Sequence, residues 1–486
     1  MKWKRAALAL CGMSALAGVQ AQQSATYRVE TSANASSGTY APLWFTAGRY
    51  GLSGAKPNSG YLRAGMDYES LLGSHWRVKA GADLAGTLNQ TATFVVQQAY
   101  ADISWKKLTL SIGSKEREGF PLTKNRRLSS GMMVEGWNAR PIPQVRAEVG
   151  DYLAVPGTRH WLSFKGHVAY GLFTDGRWQQ SFAGIGQVFT KNVLYHSKSL
   201  MLKVGNETKF PWQLEVGLLV GAQFGGQQLK KLADGSAQSV RNMPNGVKDF
   251  LKIFIPKQES TLANVEGNHC GSWNFALAYS GPEWKVRGYL EHYFEDHSQM
   301  FWQYGRWKDG HVGVEVTLPR NPWVRTVLWE GLSTKDQTGP ILYDGVGGSF
   351  KDLQMSGRDN YYNNGEYKGW QHWGEGLGNP LLPGILYNAD GSNYFKSNRV
   401  RAHHVGVEGD PAAGWSYRVL ASFARHWGTY EAPLDRQRKQ FSSLWEVTRT
   451  WKGGWSVAAG VGLDRGNYLG NSTGGILTLK KTGGIF

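Results

Sequence analysis

Cysteine is nearly absent from this chain, which has only Cys11 and Cys270 among its 486 residues. Cys11 lies in an N-terminal segment with the pattern of an export signal, so we expect only Cys270 in the mature chain. A single cysteine excludes an intramolecular disulfide, and it leaves open whether Cys270 is free or linked to another chain. An exported protein of this size must therefore be held together without crosslinks.

Long apolar runs are missing as well. The apolar stretch 6–19 is too short to cross a bilayer comfortably, because a membrane helix needs about 20 apolar residues. It follows a basic start, with Lys2, Lys4 and Arg5, and precedes the small residue Ala21. This order is typical of a secretory signal peptide. We predict cleavage after Ala21 and a single domain over 22–486, in which no later segment resembles a membrane-spanning helix.

Common enzyme motifs are also scarce. The chain contains no His-Glu-x-x-His zinc helix and no phosphate-binding Gly-x-x-x-x-Gly-Lys-Ser/Thr loop. We therefore predict a protein that is not an enzyme and needs no cofactor. An outer-membrane hydrolase stays open as an alternative, because such enzymes assemble Ser and His from separate strands and sequence spacing does not exclude this.

Glycine, aromatic residues and positive charge are abundant. The chain has 63 Gly, 21 Trp and a formal charge of +17, while its mean hydropathy is −0.41. A transmembrane β-barrel combines these features, because only alternate side chains face lipid and because Trp and Tyr gather at the membrane interfaces. The positive field attracts polyanions. At the cell surface these are acidic polysaccharide or lipopolysaccharide phosphates, and nucleic acid is not expected as a partner.

Apolar and polar residues alternate with a period of two in many segments, which predicts β-strands. These strands approach the 9–11 residues of a tilted membrane span. Closure is required because a lipid-exposed sheet edge leaves backbone groups unpaired. We therefore predict an all-β fold, a transmembrane antiparallel β-barrel in the outer membrane. The alternating segments are 61–69, 76–84, 99–105, 108–112, 162–170, 200–204, 214–224, 273–279, 312–318, 417–423 and 455–463.

Two long interruptions and the last residue complete the barrel pattern. The segments 225–271 and 331–399 are rich in Gly, Asn, Asp, Lys and Trp, and we interpret them as extracellular loops, because periplasmic turns are usually short. The chain ends at Phe486. By resemblance to outer-membrane barrels, this terminal aromatic residue is predicted to be a signal for the barrel-assembly machinery.

Several sequence blocks carry a more specific likeness. The most specific is Asn138-Ala139-Arg140-Pro141-Ile142-Pro143, and others are 41–44, 60–65, 113–121, 128–131, 291–298 and 359–367. Together they resemble the capsule-assembly Wzi family of outer-membrane proteins, in the form common among the Bacteroidetes. The resemblance implies about 18 strands, within a range of about 14–18 for such a barrel. It also implies a lectin-like role that holds capsular or related polysaccharide at the cell surface, beside outer-membrane lipid and lipopolysaccharide.

Candidate glycan-binding residues lie mainly in the second long loop. Sugars stack their C–H faces on aromatic rings, while carboxylates, amides and guanidinium groups bond their hydroxyls. Arg140 is added because a guanidinium group can clamp an acidic sugar bidentately, although it can equally cap a turn or pair inside the lumen. The alternative for the loop is that its aromatic rings pack together and plug the barrel. The candidates are Arg140, Asp359, Tyr361, Tyr362, Glu366, Trp370, His372 and Trp373.

A second polar cluster, Glu291-His292 with Glu295-Asp296-His297, invites a metal-binding interpretation. In a strand, however, Glu291 and Glu295 share one face while His292 and Asp296 lie on the other. This splits the ligands, so we predict no metal site and interpret the cluster as polar residues at a strand end.

The favoured hypothesis is a surface-polysaccharide-binding barrel that helps to attach or assemble the capsule. Its main rival is a diffusion porin for small polar or anionic solutes, with loops constricting an open lumen. The porin hypothesis uses charged residues on the inward strand faces, namely Arg63, Lys79, Lys203, Asp67, Asp83, Glu215 and Asp464.

Overall fold

The structure is a computed structural model that describes residues 22–118, 121–254, 267–295, 300, 308–319, 321–337, 342–343, 355–356 and 359–486. The predicted signal peptide, residues 1–21, lies outside the described residues. Its cleavage after Ala21 and the single-domain assignment remain predictions.

A single 18-stranded antiparallel sheet dominates the fold. Each strand pairs with its neighbours in chain order, which makes the barrel a simple meander. The strands are β1 (Gln22–Ser36), β2 (Asn58–Leu72), β3 (Trp76–Leu88), β4 (Phe94–Trp105), β5 (Leu108–Ser114), β6 (Gln144–Ala154), β7 (Leu162–Leu172), β8 (Leu194–Val204), β9 (Trp212–Phe224), β10 (Asn268–Ser280), β11 (Lys285–Phe294), β12 (Gly310–Thr317), β13 (Thr326–Ser333), β14 (Val400–Ala412), β15 (Trp415–Gly428), β16 (Pro433–Thr450), β17 (Trp455–Gly466) and β18 (Ser472–Gly484).

The sheet closes because the last strand pairs with the first. β18 runs antiparallel to β1 with Thr26 opposite Gly484 and Ser36 opposite Gly474. The terminal residue joins this seam, since the Ala25 amide donates to the Phe486 carbonyl at 3.2 Å. The 18 described strands of this sheet therefore form a closed ring without an edge strand, so their backbone groups are paired within the bilayer. The predicted all-β barrel, and the strand number implied by the resemblance, are confirmed.

The two ends of the barrel differ in the length of their connections. At one end the strands are joined by short turns, such as 73–75 and 413–414, and this end also carries the ends of β1 and β18 that lie nearest the termini. At the other end lie the long connections, including 225–267 and 334–399. Because periplasmic turns are short in such barrels, the long-loop end faces outward from the cell.

The outer wall is an apolar belt. In β5, Leu108, Leu110 and Ile112 point outward and are exposed, while Ser111 between them is buried in the lumen. Tryptophans next to the short turns form an aromatic girdle of the kind found at membrane interfaces. This is the architecture of an outer-membrane protein, as the sequence predicts. The girdle consists of Trp76, Trp105, Trp161, Trp212, Trp284, Trp323, Trp415, Trp451 and Trp455.

The connections at the long-loop end contain short helices and short strands. The described residues include the helices α1 (Leu43–Thr46), α2 (Gly176–Phe182) and α3 (Val247–Phe254), and a 3₁₀ turn at Ile385–Tyr387. No helix among them is long and apolar enough to cross a membrane. A small sheet joins Val188–Lys191, Gln227–Lys231 and Ala237–Asn242, and two-residue pairs join Leu342–Tyr343 with Met355–Ser356, Asn363–Asn364 with Lys368–Gly369, and Gln371–His372 with Glu375–Gly376.

Three connections fold into the lumen and form what we call the plug: 37–57, the described part of 115–143, and 359–399. Their apolar side chains pack with the inward strand faces into one cluster that includes Phe45, Met133, Tyr362, Trp370 and Phe395. Because these side chains are buried together, the plug is a hydrophobic core enclosed by the barrel wall. The lumen is therefore filled by protein toward the long-loop end.

Inward-facing glycines make room for the plug. A Cβ atom placed on Gly221 of β9 would lie 2.9 Å from Cζ2 of Trp370, and one on Gly406 of β14 would lie 2.8 Å from Cβ of Leu128. A closely packed interior does not accommodate contacts this short without displacement. Glycine at these positions thus lets plug side chains pack directly against the strand backbone.

Candidate functional site

A buried ionic cluster, the Lys124 clamp, joins the plug to the barrel wall. Lys124 Nζ lies 2.6 Å from Oε2 of Glu291 on β11 and donates to the Gly131 carbonyl at 2.8 Å. His311 on β12 bridges the two wall carboxylates, with Nδ1 at 3.2 Å from Glu291 and Nε2 at 3.4 Å from Glu330 on β13. All four side chains are 2% exposed or less. The ammonium group supplies one positive charge beside the two buried carboxylates, and a buried charge is costly without such a partner.

Part of this cluster places a serine, a histidine and a carboxylate in the sequence of contacts found in a catalytic triad. Ser130 Oγ lies 3.3 Å from His311 Nε2, and His311 Nδ1 faces Glu291. However, the Ser130 hydroxyl lies 2.6 Å from the Glu330 carboxylate and donates to it, and all of these groups are buried. A nucleophile needs a base that accepts its proton and room for a substrate. We therefore assign a structural role to the cluster, and the absence of enzyme activity remains a prediction.

The chain also contains a Gly-x-Ser-x-Gly sequence at 470–474, the pattern of a hydrolase nucleophile elbow. A nucleophile elbow requires a sharp turn from a strand into a helix. Ser472 instead begins strand β18, and its hydroxyl donates to the Ser37 carbonyl at 2.5 Å. The spacing is therefore a feature of a strand start.

In the polar cluster at the end of β11, Glu291 and His292 have different contact partners. Glu291 faces the lumen in the Lys124 clamp, while Nδ1 of His292 lies 3.3 Å from the Asp309 carbonyl oxygen. Asp296 and His297 lie outside the described residues. Within the described part of the chain, no group of three or more His, Cys, Asp or Glu side chains is arranged to hold a metal ion. Cys270 is a free, buried thiol on β10.

Four of the candidate glycan-binding residues are buried in the plug. Tyr361, Tyr362, Trp370 and His372 are each 0% exposed. Trp370 Nε1 donates to the Val134 carbonyl at 2.6 Å, and the Tyr362 hydroxyl donates to the Met133 carbonyl. In this packing their rings present no free face to a polymer, because plug and wall atoms cover them. These four residues pack the plug in this structure, and their predicted contact with a glycan stays a prediction.

Two other candidates lie at the loop surface but apart from each other. Glu366 is partly exposed and pairs with Arg241 at 2.5 Å. Asp359 is also partly exposed and lies where the described part of the loop resumes. The structure does not bring either carboxylate next to the remaining candidates, Arg140 and Trp373.

The structure does bring Arg140, His372 and Trp373 together. The Arg140 guanidinium carbon lies 4.2 Å from the centroid of the Trp373 ring, in a cation–π contact. Arg140 Nη2 donates to Thr91 Oγ1 at 3.1 Å, whereas its Nε has no partner among the described residues. Burial lowers the pKa of Arg140 to about 10, so the group is still a cation at neutral pH.

His372 fixes this arrangement from below. Its Nδ1 lies 2.8 Å from the Arg140 carbonyl oxygen, and its Nε2 lies 3.2 Å from the Thr174 amide. Burial lowers the pKa of His372 below the ordinary value of 6.5. A neutral imidazole with its proton on Nδ1 satisfies both contacts, since it donates to the carbonyl and accepts from the amide. His372 therefore positions Arg140.

Trp373 itself sits on a strained backbone. Its φ angle is +56°, a left-handed conformation that bulky residues rarely adopt. Asp175 holds it there, because Oδ2 accepts the Trp373 amide at 3.0 Å and the Gln371 side-chain amide at 3.0 Å. Strain of this kind is often retained at functional positions.

Two aromatic residues that the sequence analysis missed extend the surface around Trp373. Trp178 and Phe182 on α2 stack at 5.0 Å between ring centroids, and Trp178 lies 6.4 Å from Trp373. All three side chains are partly exposed, and Arg177 beside them is exposed. The i, i+4 spacing of Trp178 and Phe182 is the sequence signal that places both on one helix face. We call Trp178, Phe182 and Trp373 the aromatic platform.

Open space remains in the barrel below the plug. A cavity of about 510 Å³ and an adjacent one of about 370 Å³ share Arg28, Tyr50 and Glu116 as lining residues. The second cavity reaches Ser24 and Thr26, at the short-turn end of β1. Toward the long-loop end, Trp44 and Trp137 of the plug line the first cavity.

The inward charges of the porin hypothesis are engaged with neighbours. Arg63 donates to Asp83 at 2.8 Å and to Glu116 at 2.9 Å. The same holds for the other members of the set: Lys79 with Glu69 at 2.8 Å, Lys203 with Glu207 at 2.9 Å, Glu215 with Arg287 at 3.3 Å, Asp67 with the Tyr100 hydroxyl at 2.7 Å and Asp464 with the Leu43 amide at 3.0 Å.

Comparisons with known proteins show the fold. No protein-family model matches the chain, and no curated protein matches it either. Among solved structures it is similar to Wzi of Escherichia coli, with a TM-score of 0.57, 13% identity, and coverage of 98% of this chain and 86% of that one. Wzi is described as a carbohydrate-binding β-barrel involved in group 1 capsule assembly.

Other solved barrels match more weakly. OprD of Pseudomonas aeruginosa aligns with a TM-score of 0.48, 8% identity, and coverage of 96% of this chain and 98% of that one. OccAB4 of Acinetobacter baumannii aligns with a TM-score of 0.47 and 9% identity, and the alignment covers 96% of this chain and 98% of that one.

Proposed function

We propose that this outer-membrane barrel binds a surface polysaccharide at its long-loop end and helps to attach or assemble the capsule there. The observation that carries the proposal is the aromatic platform, held above the buried Arg140 guanidinium on top of a filled lumen. Two further facts support it: the chain shares its fold with a carbohydrate-binding barrel, and its formal charge of +17 favours acidic polymers.

The platform supplies the chemistry that sugar recognition needs. Trp178 and Trp373 offer ring faces for the C–H faces of pyranose rings, and Arg177 offers an exposed cation for a carboxylate. A single contact of this kind is weak. A repeating polymer presents many copies of the same unit, so several barrels that bind one polymer gain affinity through effective concentration.

Polymer binding by the purified barrel tests the proposal. Trp178→Ala with Trp373→Ala should lower the affinity for an acidic capsular polysaccharide at least tenfold, measured by retention on a polysaccharide-coated surface. The matched control is Trp323→Ala, which removes an exposed tryptophan at the short-turn end. Heat-dependent migration in detergent gels verifies that all variants are folded barrels. Unchanged affinity in the double variant, or an equal loss in the control, would reject the platform as the binding site.

The porin alternative makes a different prediction. A diffusion pore needs a continuous water path, whereas the plug occupies the long-loop end of the lumen. We expect no steady ohmic conductance when the barrel is inserted in a planar bilayer. Stable single-channel steps in the unmodified protein would favour the porin.

A further inference from the structure

Three cations form a row across adjacent strands on the outer wall. Arg401 of β14 lies directly opposite Arg425 of β15, and Arg425 lies directly opposite Lys439 of β16. All three are exposed. They share the outward face with Val405, Phe423 and Trp445, which are exposed residues of the apolar belt. We call Arg401, Arg425 and Lys439 the cation row.

Among the residues that the structure describes, a carboxylate neutralises only Arg401 of the row. Arg401 Nη2 lies 3.1 Å from Asp336 Oδ2. Among the described residues, Arg425 and Lys439 form no ion pair with a carboxylate; Arg425 lies over the Phe423 ring at 5.6 Å. Directly opposite residues in an antiparallel pair have Cβ atoms about 4.5–5.5 Å apart, and like charges in these positions are destabilising. An external anion bound between Arg425 and Lys439 would therefore relieve this repulsion.

The position of the row identifies the chemistry of that anion. The cation row lies near the long-loop ends of its strands, with the apolar belt directly below it on the same wall. A lipid of the outer leaflet that packs its acyl chains on this belt brings its headgroup to the height of the row. Guanidinium and ammonium groups bind phosphate, a common headgroup anion, through charge-assisted hydrogen bonds.

We propose that the cation row binds the phosphate groups of a phosphorylated glycolipid of the outer leaflet, on the lipid-facing wall of β14–β16. This site is separate from the aromatic platform and does not depend on the proposed polysaccharide function. One acidic headgroup spanning neighbouring strands offsets the repulsion between Arg425 and Lys439. Bound lipid would thus stabilise this part of the wall.

The test measures binding of bisphosphorylated lipid A to the full barrel in detergent, by native mass spectrometry. Arg425→Gln with Lys439→Gln should weaken binding at least tenfold. Arg425→Lys with Lys439→Arg should keep most of it, because the charges remain. The matched control, Lys452→Gln with Lys481→Gln, removes two charges at the short-turn end and should leave affinity within twofold.

Two further probes identify what is recognised. Dephosphorylated lipid A with the same acyl chains should bind the unmodified barrel and the Gln variant equally weakly. Millimolar inorganic phosphate should not displace bound lipid A, because the acyl chains contribute on the belt. The proposal is overturned if the Gln variant binds lipid A like the unmodified barrel, if the control loses as much affinity, or if removing the lipid phosphates changes nothing. Displacement by inorganic phosphate alone would show a free-anion site and would also reject a lipid site.

Discussion

Replacing Lys124 by Met should release part of the plug from the barrel wall. The substitution keeps most of the side-chain volume and removes the ammonium group that faces Glu291 at 2.6 Å and Glu330 at 3.9 Å. Both carboxylates then remain buried in the wall, with His311 at 3.2 Å from Glu291 and 3.4 Å from Glu330. Removing one partner of a buried ion pair is costly because the other charge cannot return to water.

The expected loss is about 3–5 kcal/mol, the range measured when a buried pair is broken from one side. Since about 1.4 kcal/mol corresponds to a factor of ten, amide exchange across 121–143 should accelerate by roughly 100- to 4,000-fold. Hydrogen exchange with mass spectrometry on the detergent-solubilised barrel measures this directly. Lys107→Met is the control, because its pair with Asp151 at 3.1 Å is exposed and should contribute less than about 1 kcal/mol.

A double-mutant cycle separates the charge pair from general disruption. Glu291→Gln removes the partner charge with little change in shape. If the clamp is a coupled pair, Lys124→Met with Glu291→Gln should lose about 1–3 kcal/mol less than the sum of the single losses. Additive losses, or unchanged exchange in Lys124→Met, would refute the clamp as the link between plug and wall.

Two further changes probe the plug. Gly221→Val places a side chain where Cζ2 of Trp370 lies 2.9 Å from an ideal Cβ. We therefore expect the plug to be displaced and the segment 359–399 to be cleaved faster by proteases, in a barrel that still folds. An unchanged cleavage rate would contradict this. Burial raises the pKa of Glu375 to about 7, so the folded state holds this proton more tightly than the unfolded chain. The contribution of Glu375 to stability is therefore fully present below about pH 4 and is lost as pH rises through 7, by on the order of 3 kcal/mol. Glu375→Gln should therefore raise Tm above that of the unmodified protein at pH 8, and should change it less at pH 4.5. If thermal unfolding of the variant and of the unmodified protein shows the same pH profile, this assignment is wrong.

The barrel could be predicted from the sequence because lipid and lumen impose a strict alternation on most strands. Strands in which the alternation of apolar and polar residues is interrupted were not predicted from the sequence. β6, for example, shifts register between Val149 and Leu153, and Gly150 and Asp151 interrupt its apolar face. β18 alternates only in part, yet its pairing with β1 closes the barrel, a contact between chain ends that no local pattern contains.

The candidate site was harder to predict, because burial in a plug depends on contacts between distant segments. Tyr362 and Trp370 have the residue types of a sugar-binding loop, but the carbonyl groups of Met133 and Val134 accept their hydrogen bonds more than 200 residues away in sequence. Trp373 and Arg140 do meet, as two of the predicted residues. Trp178 became relevant only when the fold placed α2 beside Trp373.

Surface retention of capsular polysaccharide tests the central proposal most directly. A strain lacking this protein would be compared with strains complemented by the unmodified chain and by Trp178→Ala with Trp373→Ala, assaying polymer on cells and in the medium. The account predicts normal total synthesis, polymer shed into the medium by the deletion strain, and no rescue by the double variant. Normal retention in the deletion strain, particularly with altered uptake of small solutes, would contradict it.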